Sequence, residues 1–298
     1  MTAGRFVRQR SKFRDWVGTP EHPVEAGRYH LYVSLACPWA HRAVIIRRLK
    51  GLEGTIGMSI VDPIRDDRGW AFTNTPGTTG DLLHDWGFLS EAYDATDPGF
   101  EGRISVPVLW DRETDSIVNN ESADVIVMLN EAFDDFAVHP ERDYYPEALR
   151  PQIDELNERV YETVNDGVYR TGFATSQEAY EESVFPIFET LDELDARLGD
   201  RRFLFGSEQT LADWRLFTTL IRFDVVYYSH FKCNLRRIKD YANLWPYLRD
   251  LYQTPGIAET VDFDQIKRHY YGTHKSINPN GIVPAGPVLE LDAPHDRG

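Results

Sequence analysis

Cys37 is the residue of this sequence that is best placed for nucleophilic chemistry. Residues 29–35 alternate apolar and polar side chains as a half-buried strand does, and residues 41–50 read as a helix. Pro38 fits the first turn of that helix, where its missing N–H is no loss. Because a helix N-terminus offers unpaired N–H groups and a partial positive charge, it stabilises a thiolate. We predict a reactive thiol here; a buried cysteine that packs as a small apolar side chain is the alternative.

A redox pair of the C-x-x-C type is absent, since Ala40 occupies the place of the second cysteine. Chemistry at Cys37 must then pass through a mixed disulfide with an external thiol. Cys233 has no comparable helix-start context, so we interpret it as a packing residue. The nine histidines are scattered, and no second pair complements Cys37 and His41. We therefore predict no metal site.

The elements that position these residues change character along the chain. The predicted elements that follow the first helix are strands at 58–62, 103–110 and 116–118 and a helix from 123 to about 133. From residue 151 onward the pattern is helical, with an amphipathic helix at 176–198 and a buried one at 210–228. The sequence predicts an α/β domain at 1–140, with an N-terminal extension, and an all-α domain at 141–298 that ends in a tail.

The composition excludes several classes of protein. The 298 residues include 32 Lys+Arg and 48 Asp+Glu, which gives a formal net charge of −16. Such a surface repels nucleic acid and anionic membranes, so we predict neither as a partner. No window approaches the roughly 18 apolar residues of a membrane helix, and the N-terminus lacks the apolar stretch of a secretory signal. Two cysteines form no disulfide framework, which predicts a cytoplasmic protein. A saline cell or a GC-rich genome would each explain the acidic, lysine-poor composition.

Five longer strings resemble those of one known family. They are Ser-Leu-Ala-Cys-Pro-Trp-Ala-His-Arg at 34–42, Asn-Glu-Ser-Ala at 120–123, Asn-Asp-Gly-Val-Tyr-Arg-Thr-Gly-Phe-Ala at 165–174, Ser-His-Phe-Lys-Cys-Asn at 229–234 and Pro-Gly-Ile-Ala-Glu-Thr-Val at 255–261. Together they resemble the Xi-class glutathione transferases, the glutathionyl-hydroquinone reductases, over nearly the whole chain. The resemblance implies a thioredoxin-like N-terminal domain followed by an all-helical transferase domain, whose capping box matches Thr210 and Asp213.

The resemblance also implies a role for each matching residue of the thiol-binding site. Cys37 matches the catalytic cysteine. Val106-Pro107 matches the cis-proline pair whose backbone hydrogen-bonds the thiol peptide, which explains a proline in a strand. Glu121 matches the residue that takes the γ-glutamyl ammonium, and Ser122 the one that takes its carboxylate. A plain helix cap is the other interpretation of Ser122, and both can hold at once.

Four further residues match functional residues of the family, but for each of them a non-catalytic role is also open. Trp70 resembles the tryptophan that lies over the thiol cofactor, or it is a core or lid aromatic. Arg103 is expected to reach the glycyl carboxylate, or it is a solvated strand-edge arginine. Tyr169 and Tyr270 fall in strings that resemble those supplying the tyrosines of the electrophilic site, and either is the candidate proton donor. Packing is the alternative for both tyrosines.

The activity implied by the resemblance is the thiol-dependent reduction of glutathionyl-hydroquinones to hydroquinones through a mixed disulfide on Cys37. The implied co-substrate is glutathione, or a related γ-glutamyl or other low-molecular-weight thiol, with no metal. The resemblance further implies a homodimer formed through the helical domain and a place in quinone metabolism. The alternatives are a general glutaredoxin-like thiol transferase, which reduces disulfides or dehydroascorbate, and a non-enzymatic ligand-binding module on the same fold.

Overall fold

A computed structural model describes residues 4–297. These residues form two compact units, each of which has its own set of elements. The sheet unit comprises 9–143 and 259–273, and the helical unit comprises 4–8, 144–258 and 274–297. The chain thus leaves the sheet unit after residue 143, three positions beyond the predicted boundary. Residues 259–273, which the sequence analysis assigns to the second domain, belong to the sheet unit.

The sheet unit has the element order of a thioredoxin-like domain. Its elements are β1 (Tyr29–Val33), α1 (Pro38–Lys50), β2 (Gly57–Ile60), β3 (Arg65–Asp66), β4 (Gly69–Trp70), α2 (Ser90–Thr96), β5 (Val108–Asp111), β6 (Ser116–Asn119) and α3 (Ser122–Glu131), joined by α9 (Phe263–Thr273). The four-stranded sheet has the order β2-β1-β5-β6, with β1 and β2 parallel and the other pairs antiparallel. Helix α1 begins at the proline after Cys37 and ends at Gly51, which has the left-handed conformation (φ 68°) that favours glycine.

Two sequence expectations about the strands are wrong. Strand β1 is buried at every position rather than half-buried, because it lies at the centre of the sheet. Its polar member His30 is accommodated by Ser59, whose Oγ lies 2.8 Å from the His30 Nε2, and burial lowers the pKa of His30 to about 4. The strand predicted from 103 begins at Val108, since Pro107 has no N–H to offer to a ladder. The peptide bond between Val106 and Pro107 is cis.

The helical unit is built from helices and two π-helical turns. Its elements are α4 (Arg150–Val160), a π-helical turn (Tyr161–Asn165), α5 (Gly167–Gly172), α6 (Gln177–Arg197), α7 (Leu211–Arg222), a second π-helical turn (Phe223–Tyr227) and α8 (Leu244–Tyr252). The amphipathic helix predicted at 176–198 is α6, and its N-cap Ser176 accepts a hydrogen bond from Ala179 N at 3.2 Å. The buried helix predicted at 210–228 is α7 with the turn that follows it.

The capping box at the start of α7 is present, as expected from the sequence. The Asp213 carboxylate accepts hydrogen bonds from Thr210 N at 2.7 Å, from Leu204 N at 2.9 Å and from Tyr247 OH at 2.9 Å. Asp213 is fully buried, and burial raises its pKa against these hydrogen bonds. The residue therefore fixes the start of α7 to the loop before it, in a structural role.

Asp111 at the end of β5 anchors the sheet unit through a fully buried carboxylate. The carboxylate accepts hydrogen bonds from Arg28 Nε at 2.9 Å and Nη2 at 2.7 Å, and it lies 2.8 Å from His22 Nδ1. Burial opposes the ionised form, but the hydrogen bonds from Arg28 and His22 outweigh it and lower the pKa of Asp111 to about 2.

Replacing Asp111 by asparagine is expected to lower the free energy of unfolding by about 2 kcal/mol at neutral pH, because the hydrogen bonds between the ionised carboxylate and Arg28 lose their charge. Arg28 keeps Glu25 as an ion-pair partner, at 3.4 Å. Since the folded-state pKa of Asp111 lies below the ordinary value of 3.8, the carboxylate stabilises the fold above about pH 4 and this contribution is lost as the pH falls toward 2. Urea unfolding of wild type and Asp111→Asn should therefore converge toward pH 2. Glu113→Gln, at an exposed position, is the control; a difference independent of pH contradicts the assignment.

Candidate active site

Cys37 lies at the N-cap of α1 with extended backbone angles (φ −79°, ψ 122°), and the first turn of that helix contains no acidic residue. Its carbonyl accepts the hydrogen bond from His41 N at 3.0 Å that opens the helix. The thiol is partly exposed, and its Sγ lies 3.7 Å from the Val106 carbonyl oxygen, to which it donates. The structure thus brings the cysteine and the cis-proline pair together at one end of the sheet.

A cationic side chain that the sequence analysis missed accompanies the thiol. Arg65 in β3 is within electrostatic reach of Cys37; burial lowers the pKa of the Arg65 guanidinium, and the nearby sulfur offsets part of this. The Arg65 Cζ lies 5.8 Å from the centroid of the Trp70 ring, across the β3–β4 pair. Nothing in the sequence marks Arg65, because the short β3–β4 hairpin that places it beside Trp70 is evident only from the structure. The guanidinium supplies positive potential beside the sulfur.

Trp70 is 4% exposed and stacks on His269 of α9, with ring centroids 5.0 Å apart and planes 21° apart. Its indole Nε1 is buried and has no hydrogen-bond partner in the described part of the chain. A buried donor that lacks an acceptor costs about 1–3 kcal/mol. A peptide carbonyl or carboxylate bound beside the ring would recover this free energy, so the geometry suits a ligand contact as well as a core position.

The start of α3 forms a second binding feature of the sheet unit. Glu121 is the N-cap residue, and its carboxylate accepts hydrogen bonds from Ala123 N at 3.2 Å and Ser11 Oγ at 3.0 Å. Ser122 is 3% exposed and accepts a hydrogen bond from Arg42 Nη1 at 3.3 Å. The alternative of Ser122 as a plain helix cap is therefore wrong, because Glu121 occupies that position.

Arg42 gives the start of α3 its electrostatic character. Its guanidinium is 1% exposed, and its Cζ lies 4.5 Å from the Trp39 ring centroid. A buried cation behind Ser122, together with the N-terminus of α3, suits a carboxylate, whereas the Glu121 carboxylate suits an ammonium. His41, the other basic residue of this turn, is fully buried, and its Nε2 lies 2.8 Å from Thr260 Oγ1.

Arg103 lies outside the strands, on an exposed segment before the cis-proline pair. Its backbone N–H donates to Gln9 Oε1 at 3.0 Å. The expectation that it lies at a strand edge is wrong, because the strand starts five residues later. Its assignment to a glycyl carboxylate stays a prediction.

The two candidate tyrosines belong to different units. Tyr270 lies on α9 of the sheet unit, is 1% exposed and meets His269 edge to face at 5.2 Å. Tyr169 lies on α5 of the helical unit, is 8% exposed, and its hydroxyl is 3.5 Å from that of Tyr227. The sheet unit therefore collects the cysteine, the tryptophan, the cis-proline pair, the Glu-Ser pair and one tyrosine.

Cys233 is fully buried in the helical unit, and burial raises its pKa strongly. Its thiol lies 3.9 Å from the carbonyl oxygen of Phe231. A thiol that stays protonated and enclosed is a poor nucleophile, which agrees with its interpretation as a packing residue. Between residues 4 and 297, no group of three or more His, Cys, Asp or Glu side chains is arranged to hold a metal ion. No helix in that range is long and apolar enough to cross a membrane.

Comparisons with known proteins agree with this arrangement. The model of the glutathione S-transferase N-terminal domain matches residues 36–132, and that of the C-terminal domain matches residues 177–250. The chain is 53% identical to the glutathionyl-hydroquinone reductase YqjG of Escherichia coli, over 99% of this chain and 93% of that protein. It is 49% identical to the glutathionyl-hydroquinone reductase PcpF of Sphingobium chlorophenolicum, over 97% of this chain and 92% of that protein.

Solved structures give the same result. The glutathione-bound structure of YqjG superimposes with a TM-score of 0.93 at 54% identity and covers 96% of each chain. A Xi-class transferase from Natrialba magadii superimposes with a TM-score of 0.93 at 52% identity, over 96% of this chain and 88% of that one.

The fold and the lone cysteine at the start of α1 thus define a glutathione transferase of the cysteine type. Within that class, the identity to YqjG and PcpF over nearly the full length is decisive: the chain belongs to the Xi-class transferases, the glutathionyl-hydroquinone reductase family. The family and the fold class implied by the sequence strings are confirmed.

Proposed function

We propose that this protein reduces glutathionyl-hydroquinones to hydroquinones through a mixed disulfide on Cys37. The observation that carries the proposal is the Cys37 Sγ, 3.7 Å from the Val106 carbonyl at the start of a helix without acidic residues in its first turn. Two relatives about half identical to this chain bear the name of that reductase. A serine or tyrosine would hold a glutathione thiolate by a hydrogen bond, whereas a cysteine accepts the glutathionyl sulfur itself.

The binding of the thiol peptide follows from the groups around the sulfur. The backbone of Val106, next to Pro107, offers antiparallel hydrogen bonds to the cysteinyl part of the peptide. Glu121 takes the γ-glutamyl ammonium, and Ser122, with Arg42 behind it, takes the carboxylate. The Trp70 indole N–H donates to an oxygen of the peptide. The relative YqjG has been solved with glutathione bound.

The first half of the reaction replaces a carbon–sulfur bond by a disulfide. A tyrosine donates its proton to the ring carbon that bears sulfur, and a ring hydroxyl loses its proton, which gives the keto tautomer. The Cys37 thiolate then attacks the glutathionyl sulfur, so that the S–S bond forms and the C–S bond breaks. The C–S electron pair restores the aromatic ring as a phenolate, which takes up a proton. Tyr169 and Tyr270 are the candidate donors.

The second half restores the enzyme by thiol–disulfide exchange. The thiolate of a second glutathione attacks the glutathionyl sulfur of the mixed disulfide, and the Cys37 thiolate leaves. Two glutathione sulfurs end as one disulfide, and the two electrons have passed to the quinol carbon. Ala40 stands where a resolving cysteine would be, so the external thiol is required.

Steady-state reduction of a glutathionyl-hydroquinone tests the proposed function. We expect hydroquinone release with glutathione or γ-glutamylcysteine as reductant, and slower release with cysteine, which lacks the γ-glutamyl group. A protein that binds quinols without turning them over with any of these thiols would be a binding module. A protein that reduces mixed disulfides but leaves the quinol thioether intact would be a general thiol transferase.

Ser122→Ala is expected to raise the KM for glutathione about tenfold and to leave kcat within about twofold, since one charge-assisted hydrogen bond to the γ-glutamyl carboxylate is lost in ground state and transition state alike. Initial rates over a range of glutathione concentrations measure this. Ser116→Ala in β6 is the matched control. A KM unchanged by Ser122→Ala removes the serine from the thiol site.

We also propose a cytoplasmic homodimer that acts in quinone metabolism, with Arg103 at the glycyl end of the thiol. The family resemblance supports the homodimer through the helical unit, and the two free thiols support a reducing compartment. Light scattering of the purified protein measures the oligomeric state.

A further inference from the structure

The N-terminal segment 4–8 belongs to the helical unit, although the chain then continues into the sheet unit. The Gly4 carbonyl accepts a hydrogen bond from Thr175 N at 3.0 Å. The Phe6 ring lies 5.3 Å from that of Phe173, between centroids. These contacts place the segment along the end of α5 and the start of α6. It lies there beside an aromatic cluster formed by Tyr169, Phe173, Tyr227 and Phe231.

Arg8, at the end of this segment, meets the candidate tyrosine directly. Its Cζ lies 4.7 Å from the centroid of the Tyr169 ring. Its Nε donates to Asp166 Oδ1 at 2.5 Å, and the two side chains are only 18% and 12% exposed. Asp166 precedes α5 by one residue, so the ion pair fixes the guanidinium to the same turn of chain that carries the tyrosine.

Arg8 places a cation over the face of the Tyr169 ring. Burial lowers the pKa of the Arg8 guanidinium, but Asp166 and the Tyr169 oxygen raise it by a larger amount. The pKa is therefore raised overall, and the guanidinium stays protonated. A cation over an aromatic face is attracted to the ring, and a phenolate ring attracts it more than a phenol does. The Tyr227 hydroxyl, 3.5 Å from the Tyr169 hydroxyl, is a hydrogen-bond partner in either state. The negative charge of Asp166 offsets part of the positive potential of Arg8 at the ring, but the ion pair also fixes the position of the guanidinium.

His230 and His274 are the other titratable groups of this cluster. Their ring nitrogens lie 3.2 Å apart, and burial lowers the pKa of His230 to about 4. His274 packs on Phe173 and Phe231, which themselves contact the Tyr169 ring. His230 is therefore neutral at physiological pH. Arg8 lies over the face of the tyrosine ring, and Tyr161 is a further titratable group that interacts with its guanidinium.

We propose that Arg8 is a positioning residue of the reductase. Arg8 orients the Tyr169 ring, and it stabilises the Tyr169 phenolate that exists after the phenolic proton has moved to the substrate. This inference rests on the proposed function, in which a tyrosine protonates the ring carbon. In that step the Tyr169 O–H bond breaks and the C–H bond forms. The phenolate then recovers a proton from the ring hydroxyl of the substrate, so the donor is restored within the tautomerisation. Of the two candidate donors, the inference takes Tyr169, because Arg8 contacts its ring.

The test compares Arg8→Met and Arg8→Lys with Arg5→Met. Arg5 lies on the same segment but is 54% exposed and paired with Glu182, so its loss controls for weakened docking of the segment. The kcat for a glutathionyl-hydroquinone is measured from pH 6 to 10. The rate at which glutathione reduces a preformed Cys37–glutathione mixed disulfide is measured in parallel, since that exchange needs no protonation of carbon.

For Arg8→Met we expect kcat to fall about tenfold at pH 7, and the midpoint of its alkaline limb to rise by about one pH unit. Arg8→Lys keeps the charge and should recover most of the rate. The exchange rate of all three variants, and the kcat profile of Arg5→Met, should match wild type. Ultraviolet titration measures the ionisation of Tyr169 directly, as the difference between each protein and its counterpart that also carries Tyr169→Phe. The midpoint of this ionisation should be about one pH unit higher in Arg8→Met than in wild type.

Equal kcat profiles for wild type, Arg8→Met and Arg8→Lys would overturn the inference while leaving the reductase intact. A fall in kcat without a shift of the profile or of the tyrosine titration would also overturn it, since that result marks a purely structural effect. If Arg8→Met does not fold, Arg8→Gln takes its place as the variant that removes the charge, with the same fall in kcat and the same shift of the profile expected. Absence of turnover in wild type would instead refute the proposed function.

Discussion

Replacement of Cys37 by serine is expected to lower the kcat of glutathionyl-hydroquinone reduction by at least about a thousandfold. The serine hydroxyl occupies the same place at the start of α1, but it is not ionised at neutral pH and forms no disulfide with the glutathionyl sulfur. The backbone at Val106 and the Glu121–Ser122 pair are untouched, so glutathione binding should persist. Stopped assays of hydroquinone release and calorimetric titration with glutathione measure the two quantities.

Cys233→Ser is the matched control for this prediction. That thiol is enclosed and stays protonated, so kcat should change by less than about twofold, although the buried hydroxyl costs some stability. Residual reductase activity in Cys37→Ser within tenfold of wild type would contradict a covalent role. Loss of glutathione binding together with activity would mean that the serine variant is misfolded, which circular dichroism would detect.

Tyr169→Phe is expected to lower kcat by about a hundredfold for a glutathionyl-hydroquinone, because general-acid catalysis contributes that order of rate enhancement. The phenylalanine keeps the contacts with Phe231 and with the Arg8 guanidinium but removes the proton. Reduction of a simple mixed disulfide involves no carbon leaving group, so its rate should stay within about twofold of wild type. The ratio of the two rates therefore isolates the proton transfer.

Two other tyrosines serve as comparisons for this prediction. Tyr145 donates to the exposed carboxylate of Asp154, and Tyr145→Phe should leave both rates unchanged. Tyr270→Phe should affect kcat much less than Tyr169→Phe. If Tyr270→Phe shows the hundredfold loss and Tyr169→Phe does not, the donor is the tyrosine on α9, and the part assigned to Arg8 fails with it.

Much of the fold could be predicted from local patterns. Gly51 ends α1 in the conformation that glycine adopts freely, and Ser176 caps α6, because both signals depend on a few neighbouring residues. The burial of β1 could not be predicted, since alternation was read as a one-sided strand and His30 finds its partner 29 residues away. The placement of residues 259–273 in the sheet unit likewise depends on contacts that are distant in the sequence.

The candidate site likewise contains residues that the sequence identifies and residues that only the structure identifies. Cys37 is marked by its position before a helix, so the sequence alone finds it. Glu121 was found through the family resemblance of its string, and its place at the helix cap comes from the structure. Arg42, Arg65 and Arg8 are arginines of ordinary appearance in the sequence. Their roles depend on what the fold brings beside them, which is Ser122, the thiol and Tyr169, respectively.

The central claim is the glutathionyl adduct on Cys37, and intact-protein mass spectrometry tests it most directly. Reduced enzyme is mixed with one equivalent of a glutathionyl-hydroquinone in the absence of free thiol and quenched in acid. We predict one equivalent of hydroquinone, a mass increase of one glutathionyl group, its location on the peptide that contains Cys37, and its loss on addition of glutathione. Release of hydroquinone from an enzyme whose Cys37 carries no adduct would contradict the account.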